Sequence, residues 1–68
     1  MTRLKVNGVD EEVTATTIAQ LLAARGIDPT ARFLAVAING AVVRRTNWEE
    51  AALSTGDAVE IVRPLQGG

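Results

Sequence analysis

Phe33-Leu34-Ala35-Val36-Ala37-Ile38-Asn39-Gly40-Ala41-Val42-Val43 is two apolar runs divided by the dipeptide Asn39-Gly40. Both residues of that dipeptide tolerate the positive φ that a two-residue hairpin demands, so the stretch predicts strand, tight turn, strand. Alternation along the first strand, 33–38, places Leu34, Val36 and Ile38 on one face. Phe33, Ala35 and Ala37 fall on the other.

Upstream, Thr17 with Gln20 three residues later marks a capped helix start. Ile18, Leu21, Leu22 and Ala24 follow as an apolar stripe at helical spacing. Gly26 ends that helix, Ile27 is the apolar residue after it, and Asp28-Pro29 confirms the stop. Further upstream, Arg3–Val6 and Val9–Val13 alternate on either side of Asn7-Gly8, which predicts a second hairpin. Downstream, Thr46 and Glu49 predict another capped turn of helix carrying Trp48, Ala52 and Leu53. Ser54-Thr55-Gly56-Asp57 reads as a turn, and Ala58–Val62 as the last strand. The order is hairpin, helix, hairpin, helical turn, strand. That is an α+β domain over residues 1–62, with one sheet burying its apolar face against one main helix. Leu4, Val6, Val13, Ile18, Leu21, Leu22, Val36, Ile38, Val59 and Ile61 are its expected core. Periodicity stops in residues 63–68, Arg63-Pro64-Leu65-Gln66-Gly67-Gly68, which read as a flexible C-terminal tail.

Composition narrows the chemistry. The chain has 68 residues, a net charge of −1, and neither Cys nor His. Thiolate nucleophiles, disulfides and iron–sulfur ligation are therefore excluded, as are the common zinc sites and the usual general base. Phe33 and Trp48 are the aromatics, and no basic stripe accompanies them, so a nucleic-acid partner is not expected. Phe33–Ile38 is far too short to cross a bilayer, and Met1–Lys5 does not lead into a signal peptide. A soluble, cytoplasmic protein with no membrane partner is expected, a monomer on its own.

Asn7-Gly8, the run Ala35–Gly40, Val42-Val43 with Arg45-Thr46-Asn47-Trp48, Gly56-Asp57 and the terminal Gln66-Gly67-Gly68 together resemble the β-grasp sulfur carriers, most closely those of thiamine biosynthesis. The resemblance covers the whole chain. It departs at Arg44, where the family commonly has Pro, and at Pro64, where a small residue is commoner. It implies a ubiquitin-like fold, one mixed five-stranded sheet with the first and last strands parallel at its centre. It implies a protein cosubstrate without catalytic residues or a bound cofactor or metal. Gly68 would be adenylated by an enzyme similar to the ubiquitin-activating family, using ATP and magnesium. A cysteine desulfurase or sulfurtransferase would supply sulfur for a thiocarboxylate, and thiazole synthase would consume it. Gly67, Gln66 and Leu65 would be recognised as the tail threads its partner, since Gly-Gly lacks β-carbons.

A related carrier for molybdopterin, cysteine or another acceptor shares the same features. So does a protein modifier that forms an isopeptide bond, while a plain β-grasp binding module would leave the tail without a role. Among the remaining residues, Trp48 is expected to plug the core and Arg44-Arg45 to be a solvated charge pair. Asp57 is expected to order its turn, and Asp10, Glu11, Glu12, Glu49 and Glu50 to be exposed rather than a metal site. Phe33, Ala35, Ala37, Ala58 and Val62 form an expected outer patch for a partner.

Overall fold

The computed structural model describes residues 1–63. Its elements run β1 (Thr2–Val6), β2 (Val9–Val13), α1 (Ile18–Ala24), β3 (Ala35–Ile38), β4 (Ala41–Val43), a 3-10 turn (Arg45–Asn47) and β5 (Ala58–Val62). The strands form one sheet in the order β2-β1-β5-β3-β4. β1 and β5 are parallel, and the other neighbours antiparallel.

Both Asn-Gly turns form as expected. Asn7 and Gly8 have φ of 50° and 85°, Asn39 and Gly40 of 52° and 86°, which is the backbone of a type I′ turn. The asparagine side chains also tie these turns to β5. Asn7 Oδ1 accepts from the Ile61 N–H at 2.8 Å and Asn39 Oδ1 from the Ala58 N–H at 2.9 Å. Asn39 Nδ2 donates to Asp57 Oδ1 at 3.0 Å. The other oxygen of Asp57 accepts from the Ser54 N–H, so Asp57 does order its turn.

α1 begins and ends by side-chain and backbone chemistry legible in its sequence. Thr17 Oγ1 accepts from the Gln20 N–H at 3.2 Å. Gln20 Oε1 reaches back to the Thr16 N–H and hydroxyl, one residue earlier than a standard capping box. The Ile18 and Ala19 N–H groups donate to the carbonyls of Ala51 and Trp48, which satisfies donors a helix start leaves open. At the other end Ile27 N–H bonds to Leu22 O and Gly26 N–H to Ala23 O. This is a Schellman closure, with Ile27 buried beside Leu22 in the core.

The core unites Leu4, Val6, Ile18, Leu21, Leu22, Val36, Val59 and Ile61 with Ile27, Leu34, Trp48 and Leu53. Val13 and Ile38 pack against it while half-buried. The expected core role of Trp48 holds, at 3% exposure with Nε1 donating to the Val43 carbonyl at 2.9 Å.

Two expectations require correction. β3 starts at Ala35 rather than Phe33, because Phe33 sits in a turn with φ of +63°. Thr46 does not cap a helix: the short turn is 3-10, its N-cap is Arg44, and no side chain bonds its start. Arg44 has φ −62° and ψ 143°, the backbone proline would impose. Its N–H, beyond the last β3–β4 pair, donates to no backbone carbonyl among the described residues. Arg44→Pro is therefore expected to stabilise the fold by about 0.4–1 kcal/mol through the unfolded chain. Urea denaturation of the two proteins side by side checks this.

Candidate functional site

Alternation in the sheet sorts its side chains by face. Helix α1 covers the side that carries Leu4, Val6, Val36, Val59 and Ile61. The opposite face is divided. Across β2 and β1 it bears Asp10, Glu12, Arg3 and Lys5, with Lys5 opposite Asp10 and Arg3 opposite Glu12 in the register. Across β5, β3 and β4 it turns mostly apolar, through Ala58, Val62, Ala35, Ala37 and Val42.

Register shows which expected patch residues meet. Ala35 pairs with Val62, and Ala37 pairs with Glu60 on one side and Val42 on the other. Val62 is 58% exposed and Val42 76%. Ala35 is exposed, while Ala37 and Ala58 are half-buried. The patch thus holds Ala35, Ala37, Ala58 and Val62, with Glu60 set into it between Ala58 and Val62. Val42 is an addition. The two-residue turn at Asn39-Gly40 dictates its pairing with Ala37, so the signal was present in the sequence.

Phe33 comes to the surface by another route. It is 79% exposed, and strand alternation no longer assigns it a face. For a bulky residue the left-handed conformation costs roughly 1–2 kcal/mol. The loop on either side of it is bonded by Arg45, which is exposed as expected yet not free. Its Nη1 donates to the Pro29 carbonyl. Its Nη2 donates to the Ala31 carbonyl at 2.8 Å and, more weakly, to Leu34 at 3.4 Å. The same guanidinium lies 4.9 Å from the centre of the Trp48 ring, a cation–π distance. A shallow groove of about 310 Å³ lies between Pro29-Thr30 and Arg45-Trp48. At the base of this loop the Asp28 carboxylate accepts from the Thr30 hydroxyl and N–H. These bonds, with a smaller contribution from Arg45, hold the Asp28 carboxyl below its ordinary pKa.

The acidic residues are distributed rather than convergent. Glu11 receives Arg25 Nη1 on both carboxylate oxygens, at 2.9 and 3.1 Å. Glu12 faces Arg3 at 3.8 Å. Among the described residues no cluster of acids is placed to hold a metal ion. The tail residues Leu65, Gln66, Gly67 and Gly68 lie outside the described residues, as does Pro64.

A mixed five-stranded sheet, first and last strands parallel at its centre and one helix on one face, defines the β-grasp class of ubiquitin-like proteins. The family model that matches is described as the ThiS family, and the match runs over residues 4–68. Among solved structures, the crystal structure of the thiamine biosynthesis protein ThiS of Geobacter metallireducens is 30% identical, with a TM-score of 0.79. That alignment covers 98% of this chain and 100% of the other. The solution NMR structure of a thiamine biosynthesis protein of the same organism is 30% identical, with a TM-score of 0.78, covering 98% and 88%. No curated protein matches the chain significantly. The chain belongs to the ThiS family.

Proposed function

We propose that the chain is a sulfur carrier for thiamine biosynthesis, a protein cosubstrate whose reacting group is the carboxylate of Gly68. The observation that carries this reading is the family match over residues 4–68, which runs through Gln66-Gly67-Gly68. Composition agrees. A carrier that holds sulfur on its own carboxylate needs no Cys, and this chain has none.

A carboxylate resists nucleophiles because of its charge and its poor leaving group. The activating enzyme, ubiquitin-activating-like and loaded with ATP and magnesium, removes both obstacles. A Gly68 carboxylate oxygen attacks the α-phosphorus, the α–β phosphoanhydride bond breaks, and pyrophosphate leaves. Hydrosulfide, released when a thiol reductant reduces the persulfide carried by a cysteine desulfurase or sulfurtransferase, then attacks the acyl carbon. The bond to AMP breaks, AMP departs with the former carboxylate oxygen, and a thiocarboxylate and a proton remain. Thiazole synthase takes that sulfur into the thiazole ring and returns Gly68 to the carboxylate. Leu65, Gln66 and Gly67 serve as the recognised tail, and residues 1–62 as the domain the partners grip. The chemistry belongs to a cytoplasmic compartment. Among the described residues no helix is long and apolar enough to cross a membrane.

The outer patch of Ala35, Ala37, Ala58 and Val62 is the surface we assign to partner contact. Val62→Asp is expected to weaken association with the activating enzyme while leaving thermal unfolding within a few degrees of the parent. Ala37→Asp is a poorer probe, because it would set a second carboxylate directly opposite Glu60, and like charges so placed destabilise a sheet. Titration calorimetry with the purified enzyme reads the effect, and an unchanged affinity for Val62→Asp removes the patch.

The acceptor is tested by reconstitution. Thiocarboxylated chain mixed with thiazole synthase and its small-molecule substrates is expected to revert to the carboxylate as thiazole forms. Thiocarboxylate that persists there, but is consumed by the molybdopterin or cysteine pathway, assigns the chain to a sister carrier.

A further inference from the structure

A strained and exposed aromatic stands beside the point where the sheet releases the chain toward Gly68. We propose that Phe33 is the side chain by which the adenylating enzyme anchors this protein, and that Arg45 is the positioning residue that presents it. The inference rests on the reading that Gly68 is the group adenylated.

Tail length selects the occupant. Five residues follow Arg63, and fully extended they span at most roughly 18 Å. An enzyme that holds Gly68 at its nucleotide must therefore cover the surface around Val62 and Arg63. Val62 pairs with Ala35, and Phe33 lies two residues before Ala35. No other aromatic is exposed among the described residues, Trp48 being 3% exposed.

Conformation supplies the second argument. Phe33 is both left-handed and 79% exposed, so neither its backbone nor its ring gains anything in the free domain. Such a state persists only where its surroundings over-determine it. Here they do. One guanidinium donates to the carbonyls of Pro29 and Ala31 before Phe33 and of Leu34 after it. Leu34 is buried in the core, and the guanidinium itself rests on Trp48. The loop is held from behind while its aromatic residue faces outward. A rigid apolar side chain presented in advance loses little entropy when it enters a partner's pocket, and such residues dominate interface energies. The neighbouring surface suits that partner too, since Val42 and Val62 are exposed apolar residues of the same half of the sheet. The charged pairs lie toward the β2 edge.

The test uses the full chain with its adenylating enzyme, ATP and magnesium, read by ATP–pyrophosphate exchange as carrier concentration varies. Phe33→Asn keeps a residue that tolerates the left-handed backbone. It is expected to raise KM for the carrier about tenfold or more, as loss of an anchoring side chain does. The kcat and the midpoint of thermal unfolding should not fall. Arg45→Gln, assayed where circular dichroism shows it folded, should raise KM by acting through Phe33. The double variant should then be no worse than Phe33→Asn alone. Val9→Asn, an exposed position on the opposite edge strand, should leave KM unchanged.

Wild-type KM for Phe33→Asn overturns the anchor, and full additivity in the double variant overturns the role of Arg45. Concentration-dependent dimerisation that Phe33→Asn abolishes, with KM unchanged, assigns the residue to a second copy of this chain and also overturns the proposal. Failure of the wild-type chain to support exchange defeats the carrier reading and the anchor with it. Exchange by wild type and Phe33→Asn with one KM defeats the anchor alone.

Discussion

Deletion of Gly68 is expected to abolish both adenylation and thiocarboxylate formation while leaving thermal unfolding unchanged. The truncated chain still ends in a carboxylate, on Gly67, so the loss would come from position and not from missing chemistry. Adenylation needs the carboxylate oxygen in line with the α-phosphorus, and misplacement by about an ångström can cost 10²-fold. One residue is more than 3 Å of extended chain. Addition of a single residue after Gly68 should be equally disabling for the same reason. Stability should not follow, because every fully buried hydrophobic side chain of the described domain lies between Leu4 and Ile61. Pyrophosphate exchange beside a thermal melt separates the two effects. Wild-type exchange by the truncated chain would show that Gly68 is not the working residue.

Trp48→Ala should produce the largest loss of stability, about 3–5 kcal/mol, because it opens a cavity the size of an indole in the core. It also removes the Nε1 donor from the Val43 carbonyl and the ring on which Arg45 rests. Small domains hold only about 5–15 kcal/mol in total, so most of the fold's margin would go. Trp48→Phe keeps most of the packing and loses the hydrogen bond, and should cost about 1–3 kcal/mol. Urea denaturation followed by far-ultraviolet circular dichroism gives both values. A loss below about 1 kcal/mol for the alanine variant would contradict the burial assigned to the indole.

What was legible in the sequence is what local chemistry encodes. Asn7-Gly8 and Asn39-Gly40 announce their turns because positive φ is a property of those residues. Thr17, Gln20 and Gly26 bound α1 because caps are made within one turn of the chain. The conformation of Phe33 had no such signature. It arises in a loop bonded by the guanidinium of Arg45, whose carbonyl partners lie 11 to 16 residues away, and a pattern of alternating apolar residues ran straight through the break. Arg45 is exposed as expected, but its carbonyl partners went unread for the same reason, since nothing beside it in sequence reveals them. Glu60 was given no role from the sequence, and the register that pairs it with Ala37 shows that it divides the apolar patch. The patch residues Ala35 and Val62 were found by alternation, and their direct pairing required the sheet order. Gly68, the residue we propose as the reacting group, lies outside the described residues and is reached through resemblance and through a composition without Cys or His.

The most direct measurement of the carrier reading is the intact mass of the chain after incubation with its adenylating enzyme, ATP, magnesium and a sulfur donor. Replacement of one oxygen by sulfur, localised to Gly68 by fragmentation, is the expected result, with the acyl adenylate detected when the donor is withheld. An unaltered mass under conditions where the enzyme is active, or Gly68 joined to a lysine of another protein with no thiocarboxylate formed, would contradict it.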